Sequence, residues 1–276
     1  MKPVFLAVLV ALAALASAAT SAFAGDGRSV LVELYTSQGC ASCPPADALL
    51  AKLAKRQGLI AISLPITYWD MLGWKDTLAS EANTSRQKAY AAAMGRGGVY
   101  TPQIIVDGIK DVVGSRENDV GAAIDDAQDA LDEVSDGDLP AGVMALAPRR
   151  TTALMPLSVD IGFTAMPQKL HIAIAAAPDM PKNKLNATIW MLRLRSAVTV
   201  RIGAGENGGR TMTYRNVVSD IKELGRWNGR AVSLDLPRAD PKTPPHDGVV
   251  VVLQQGGYGR VLGTAYLGHA ERYAQQ

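Results

Sequence analysis

Reactive side chains are scarce in this sequence. Its 276 residues include only two cysteines and three histidines (His171, His246 and His269). A tetrahedral zinc site therefore has at most one cysteine pair to draw on in the first 170 residues, and a network of disulfides is excluded outright. Charge is also sparse: charged residues make up 20%, and 28 basic against 26 acidic side chains leave a net charge of +2. A chain this close to neutral lacks the basic surplus of a nucleic-acid binder. No apolar run after the first two dozen residues is long enough to cross a membrane as a helix. There is no repeat and no low-complexity tract. What remains is 48% hydrophobic, the composition of a chain that buries a core.

The first 24 residues read as a signal peptide. Lys2 precedes an apolar stretch from Val4 to Ala19, and Ala22-Phe23-Ala24 offers the small residues of a cleavage site before Gly25. The expected location is periplasmic or secreted, with no stable membrane insertion after cleavage, in a compartment where disulfides persist.

The two cysteines stand together in Ser37-Gln38-Gly39-Cys40-Ala41-Ser42-Cys43-Pro44-Pro45. An apolar, strand-like run (Val30 to Tyr35) precedes them. A helical pattern follows, with Leu49, Leu50, Leu53 and Ala54 at its apolar positions, Asp47 in its first turn and Gly58 at its end. A dithiol between a strand and a helix can attack a disulfide with one sulfur and resolve the intermediate with the other. Two other readings stay open: a structural disulfide, worth only ~2 kcal/mol for so small a loop, and a two-thiol metal clip that needs further donors.

In order, the chain then gives a strand from Leu59 to Ile66, an aromatic loop with Tyr68, Trp69, Asp70 and Trp74, and a helix from about Ser80 to Met94. A strand follows at Gln103 to Val106, then a hairpin turn at Asp107-Gly108, a return strand at Asp111 to Gly114, and a helix from Ser115 to about Glu133. The order is β-α-β-α-β-β-α, opening with a right-handed parallel βαβ unit. An acidic linker, Asp132 to Pro140, leads to short alternating runs at 143–147, 157–163, 170–176, 187–194, 231–236, 249–254 and 261–267. These predict an all-β, sandwich-like domain with one or two helical turns near Val217 to Leu224. The expected division is a first domain over 25–139 and a second over 140–276. The Gly203–Gly209 stretch predicts a hairpin loop. With no histidine in the first domain, no Ser/His/Asp grouping is assignable.

From Ser29 to Glu133 this order, the C-x-x-C after the first strand and the Thr101-Pro102 step before the third resemble the thioredoxin superfamily, as does Val30-Leu31-Val32-Glu33-Leu34-Tyr35. Glu33 to Cys40, Cys43 to Asp47, Tyr68-Trp69-Asp70, Gly73 to Asp76, Gly98 to Gln103 and Val106-Asp107-Gly108 are similar to a family of exported bacterial thioredoxin-like proteins without assigned function. The resemblance implies an α/β thioredoxin-like domain with Cys40 as attacking sulfur and Cys43 as resolving sulfur. It implies a cis bond before Pro102 facing the dithiol, with Thr101 touching the sulfurs, and Glu33 as a buried acid shuttling the proton of Cys43. Tyr68, Trp69, Asp70 and Trp74 then pack over the sheet end and contribute to a groove for a partner protein.

The expected function is thiol–disulfide exchange on exported protein thiols or disulfides, with an unidentified redox partner and no cofactor. Two alternatives accompany it: a non-catalytic binding or assembly module with a structural disulfide, and a copper-handling protein using Cys40, Cys43 and Met71 or Met94.

Overall fold

Every residue of the run Val30–Thr36 is buried, and it forms the strand β1. A strand covered on both faces reads as continuously apolar rather than alternating. The structure is a computed structural model that describes residues 29–136, 161–165, 169–178, 180, 185–237 and 245–268. In it β1 pairs with β2 (Leu59–Pro65) in parallel and with β3 (Gln103–Val106) antiparallel. β4 (Lys110–Val113) completes a hairpin with β3 through Asp107 and Gly108. Three helices follow the predicted order: α1 (Pro44–Leu53), α2 (Glu81–Ala93) and α3 (Glu117–Asp136). The Ser80 side chain caps α2, accepting the Asn83 N–H at 3.2 Å. α3 runs three residues past its expected end, into the acidic linker.

Beyond residue 160 the described chain is β throughout: β5 (Ile161–Ala165), β6 (Lys169–Ile174), β7 (Ala187–Arg201), β8 (Thr211–Trp227), β9 (Val232–Pro237), β10 (Gly248–Gln255) and β11 (Val261–Leu267). The expectation of a sheet system separate from the first is corrected here. β7, β8, β10 and β11 extend the first sheet, giving eight strands in the order β11-β10-β7-β8-β2-β1-β3-β4. The seam lies where β8 runs parallel to β2, with Val217 beside Ser63 and Asn216 Nδ2 donating to the Ala61 carbonyl at 2.7 Å. β2 is buried and would otherwise end the sheet with unpaired backbone groups; β8 meets it at that register pair, and the Asn216 side chain satisfies the Ala61 carbonyl. Among the described residues, β5, β6 and β9 form a second sheet. The molecule is thus a mixed α/β fold built on one large mixed sheet.

The helical turns expected at Val217 to Leu224 are absent, because that segment lies within β8. There β8 is covered on both sides: Val217 packs with Tyr214 and Val198, and Val218 joins the opposite cluster. Adjacent apolar residues replace strict alternation and imitate a helical pattern.

The large sheet separates three main cores. α1 and α3 cover one face of β1–β3 through Val32, Leu34, Leu50 and Ile124. The three-stranded sheet covers the same face farther along, over Ile189, Met191 and Val251. The opposite face packs Leu31, Tyr35, Ile62, Leu192 and Val252 beneath Tyr90 of α2. The expected signal peptide (1–24), the linker from residue 137, the runs 143–147 and 157–160, and His269 lie outside the described residues.

Candidate functional site

The turn between β1 and α1 carries Cys40 and Cys43, which form a disulfide with Cα atoms 5.4 Å apart. Cys43 caps α1 with helical dihedrals, and Pro44 and Pro45 occupy the first two helical positions. Proline suits that place because its missing N–H is one of the helix's unpaired donors anyway. Here it removes two of them. The next two N–H groups, of Ala46 and Asp47, both bond the Cys43 carbonyl, at 2.9 and 3.1 Å. The start of α1 therefore has no backbone donor left among these four positions for a thiolate at Cys40.

Side chains supply donors instead. Thr101 Oγ1 donates to Cys40 Sγ at 3.3 Å, and Ser42 Oγ lies 3.4 Å from the same sulfur. The Thr101 hydroxyl is fixed from behind by Trp69 Nε1, which donates to it at 2.7 Å. The Thr101–Pro102 bond is cis, and Pro102 is buried beside Gly114. Of the residues expected to meet at the site, the structure brings Cys40, Cys43, Thr101, Pro102 and Trp69 together.

Tyr68, Asp70 and Trp74 take positions around them, with their polar atoms committed internally. Tyr68 donates to Gln87 at 3.3 Å, Asp70 accepts the Asp76 N–H at 3.0 Å, and Trp74 Nε1 donates to Gln38 Oε1 at 2.8 Å. Asp76 in turn accepts the Gln38 N–H at 2.8 Å. These residues brace the cysteine turn. The surface they leave open is Met71, 84% exposed, and Leu72.

Sequence reasoning missed the part played by the β7–β8 hairpin. Asn207 is buried at its tip and donates to the carbonyls of Gln38 (3.0 Å) and Cys40 (2.8 Å). Glu206 accepts the Ala41 N–H at 3.2 Å. The hairpin stacks on Trp74 so closely that a Cβ at Gly203 would lie 2.7 Å from the indole ring. A segment more than 160 residues away thus straps the dithiol, and Cys40 is only 1% exposed. The Gly-rich composition signalled the hairpin itself; nothing local signalled where it lands.

Glu33 is corrected. It points to the face of β1 opposite α1, where Arg86 Nε donates to it at 2.7 Å and Tyr90 OH at 2.5 Å. Gln254 Nε2 donates to the same tyrosine at 2.6 Å, and the Arg86 guanidinium lies over the Tyr90, Trp190 and Tyr258 rings. Alternation along β1 puts Val32, Leu34 and Thr36 on the α1 side and leaves Glu33 in this ion pair, away from Cys43.

Another acid lies on the α1 side. Asp47 is 8% exposed, one helical turn after Cys43. Burial pushes its carboxyl up to about 8, opposed by the neighbouring Thr36 hydroxyl and reinforced by the charge of Asp76. Asp76 is itself raised by burial, against the pull of the Gln38 and Leu78 N–H groups.

The donors proposed for copper are not gathered. Met94 packs with the Leu31 and Tyr35 cluster on the face away from α1. Among the described residues no group of three or more His, Cys, Asp or Glu side chains is placed to hold a metal ion.

A Ser/His/Asp grouping that the sequence alone could not assign does occur in the second half of the chain. His171 Nδ1 is 2.6 Å from Asp235 Oδ1, and Ser233 Oγ is 3.4 Å from His171 Nε2. Cross-strand register places them side by side on β6 and β9. Ser233 and Asp235 are exposed on the open sheet face, so the set is a surface polar ladder rather than an enclosed nucleophile.

Comparison with known proteins places this geometry among relatives. A protein of Archaeoglobus fulgidus described as "Probable Thioredoxin" is 43% identical over 37 residues, which span 13% of this chain and 41% of that protein. A protein from Agrobacterium tumefaciens, solved by X-ray crystallography, is 30% identical, with a TM-score of 0.68 over 88% of this chain and 96% of its own. HBP35 of Porphyromonas gingivalis shares the fold at 12% identity, with a TM-score of 0.50 over 88% of this chain and 76% of its own. The chain matches the family described as Protein of unknown function (DUF1223) over residues 31–138 and 133–254, and it belongs to that family.

Proposed function

We propose that this chain is an exported, thioredoxin-like thiol–disulfide oxidoreductase acting on protein thiols or disulfides. The observation that carries the reading is the Thr101 hydroxyl, oriented by Trp69, donating to the sulfur of Cys40 in a C-x-x-C disulfide at the start of α1. A hydrogen bond to that sulfur favours the thiolate that attacks and leaves in exchange. The short match to the Archaeoglobus protein and the β-α-β-α-β-β-α order support the thioredoxin-like part. The leader-like N-terminus supports export.

In the reduced protein, Cys40 thiolate attacks a partner disulfide. A Cys40–partner S–S bond forms and the partner's other sulfur leaves as thiolate. Cys43 then attacks Cys40 Sγ, the partner's second sulfur leaves, and the Cys40–Cys43 disulfide closes. Two electrons pass to the partner, and no cofactor enters. The surroundings favour this reducing direction. With the helix donors used up and Glu206 beside Ala41, the thiolate is held less strongly than in an oxidant, so the disulfide is the stabler state.

One observation favours a second reading, a binding module with a structural disulfide: Cys40 is almost wholly covered. The two readings separate in the Cys43→Ala protein expressed in its native compartment. Exchange predicts partners trapped on Cys40 and released by dithiothreitol. The absence of trapped partners, together with a reduction potential below about −300 mV, would establish the structural disulfide instead.

A further inference from the structure

Four buried side-chain oxygens without a well-formed hydrogen bond lie on the side of the sheet that α1 covers, the Thr36 hydroxyl next to Asp47. They are both carboxylate oxygens of Asp47, Thr36 Oγ1 and Ser63 Oγ. Thr36 and Ser63 share the α1 face of β1 and β2, because alternation places them in line with Leu34 and Ala61. An unpaired buried carboxyl costs stability, and hydrophobic residues would fill this place without that cost.

The position of Asp47 relative to Cys43 gives its use. Cys43 has helical dihedrals (φ −77, ψ −35), and the Asp47 N–H bonds its carbonyl. The two residues therefore stand four apart on one helical face, where Cβ atoms lie about 5–6 Å from each other. Helical side chains lean toward the N-terminus, so Asp47 leans toward Cys43. The other acids near the dithiol are engaged: Asp76 by the Gln38 and Leu78 N–H groups, Glu206 by Ala41, and Glu33 by Arg86 on the far face.

We infer that Asp47 is the base that takes the proton of Cys43 when Cys43 attacks the mixed disulfide, a role that rests on the exchange activity proposed above. The step balances within the protein and its partner. The Cys43 S–H bond breaks and its proton passes to an Asp47 carboxylate oxygen. The Cys43 sulfur forms the bond to Cys40 Sγ, the Cys40–partner bond breaks, and the partner leaves as thiolate. Asp47 then returns the proton to that thiolate or to solvent. Burial suits Asp47 to the task, since a carboxyl raised to about 8 nearly matches the proton affinity of an ordinary thiol. The groups that act on it are Thr36 from β1 and Asp76 from the loop after β2, and its own charge in turn reaches Tyr214 of β8.

Glutathione disulfide serves as probe on the reduced full-length protein. Adduct formation at Cys40 is followed in Cys43→Ala, and release of the adduct in the wild type and in Asp47→Asn. The expected result is adduct formation at equal rates in all three proteins, but release at pH 7 about 10²-fold slower in Asp47→Asn, the low end for a positioned base. The deficit should close above the thiol range, where Cys43 ionises unaided. Equal release rates would overturn the role of Asp47 while leaving exchange intact. If no Cys40 adduct forms, exchange itself fails, and the role of Asp47 with it. A measurement on the wild type alone guards against misfolding of the variant. A carboxyl-carbon NMR titration should place the Asp47 midpoint differently in the reduced and oxidised proteins, because coupled sites shift each other; identical midpoints would count against the proposal.

Discussion

With Pro44 and Pro45 lacking N–H groups and the next two donors committed to the Cys43 carbonyl, Thr101 and Ser42 are the donors that remain at Cys40 Sγ. Thr101→Val keeps the shape and removes the hydroxyl. A hydrogen bond to a charged group is worth about 1.5–3 kcal/mol, and sulfur is a weak acceptor, so the low end applies. The Cys40 thiol should titrate about one pH unit higher, read from thiolate absorbance in the reduced Cys43→Ala background; Thr101→Ser should restore it. An unchanged titration would remove Thr101 from the site. A second residue governs stability rather than chemistry. Asp107, buried in the β3–β4 turn, has its carboxyl pushed up to about 7 by burial, although it accepts the Leu31 N–H at 2.8 Å. Its folded value exceeds its unfolded value, so the native state binds more protons between about pH 4 and 7, and stability falls as pH rises through that window. Asp107→Asn keeps the acceptor and tolerates the positive φ of 48°. It should flatten part of the fall and gain on the order of 2 kcal/mol at pH 8 in urea unfolding. Asp47 contributes to the same slope in the wild type, so Asp107→Asn alone leaves a residue of it. Cys40, Cys43 and Thr101 were legible because spacing and a proline mark them. Glu33 was not: its partner Arg86 lies 53 residues away and leaves no local trace.

The hairpin joining β7 to β8 sits over the cysteine turn as a strap whose own hydrogen bonds (Ile202 N–H to Arg210, Gly209 N–H to Ile202) keep it rigid. Asn207→Ala withdraws both donors from the Gln38 and Cys40 carbonyls. Leaving buried carbonyls unpaired costs about 1–3 kcal/mol, and a thermal melt should show that loss. Alkylation of reduced Cys40 should accelerate in the same variant, because the loop it anchored is freed. A destabilised protein with unchanged Cys40 reactivity would mean that the hairpin holds the fold without covering the sulfur. The hairpin was legible as a turn from its glycines, β1 and β2 as short unbroken apolar runs ended by turn residues, α1 from its helical period and α2 from its composition. β8 was not, since residues buried on both faces erase the alternation that identifies a strand. Its irregular positions, Asn216 with φ 47° and Gly225 with φ 144°, bend it further from a regular pattern.

Pairing between the two halves of the chain has no sequence signature at all, because a register between β2 and β8 joins residues more than 150 positions apart. Composition changes near residue 139, yet the sheet continues from β2 into β8, and polar contacts reinforce the join. Gln254 of β10 accepts from Arg86 at 3.1 Å and donates to Tyr90, completing the cage around the buried Glu33 ion pair. The Asp107 carbonyl accepts the Val261 N–H at 2.9 Å, and a Cβ at Gly108 would collide with the Gly259 carbonyl. A fragment ending at residue 139 would lose the cover of Trp190 and Tyr258 over Arg86 and the partner of β2 together. The ion pair itself stays intact in such a fragment, but Arg86 and Tyr90 lose their Gln254 partner and β2 is left with an unpaired edge. Each stranded polar group costs about 1–3 kcal/mol, so a few of them are comparable with much of the stability of an ordinary domain. We therefore expect residues 25–139 expressed alone to lack a cooperative thermal transition, and the full chain to melt in one calorimetric event reported equally by near-ultraviolet signals from Trp69 and Trp190. If the fragment melts cooperatively with the same protected amides in β1 and β2, the sheet is two domains abutted edge to edge. A single transition for the full chain and none for the fragment would make the dithiol, its strap and the far sheet one folding unit.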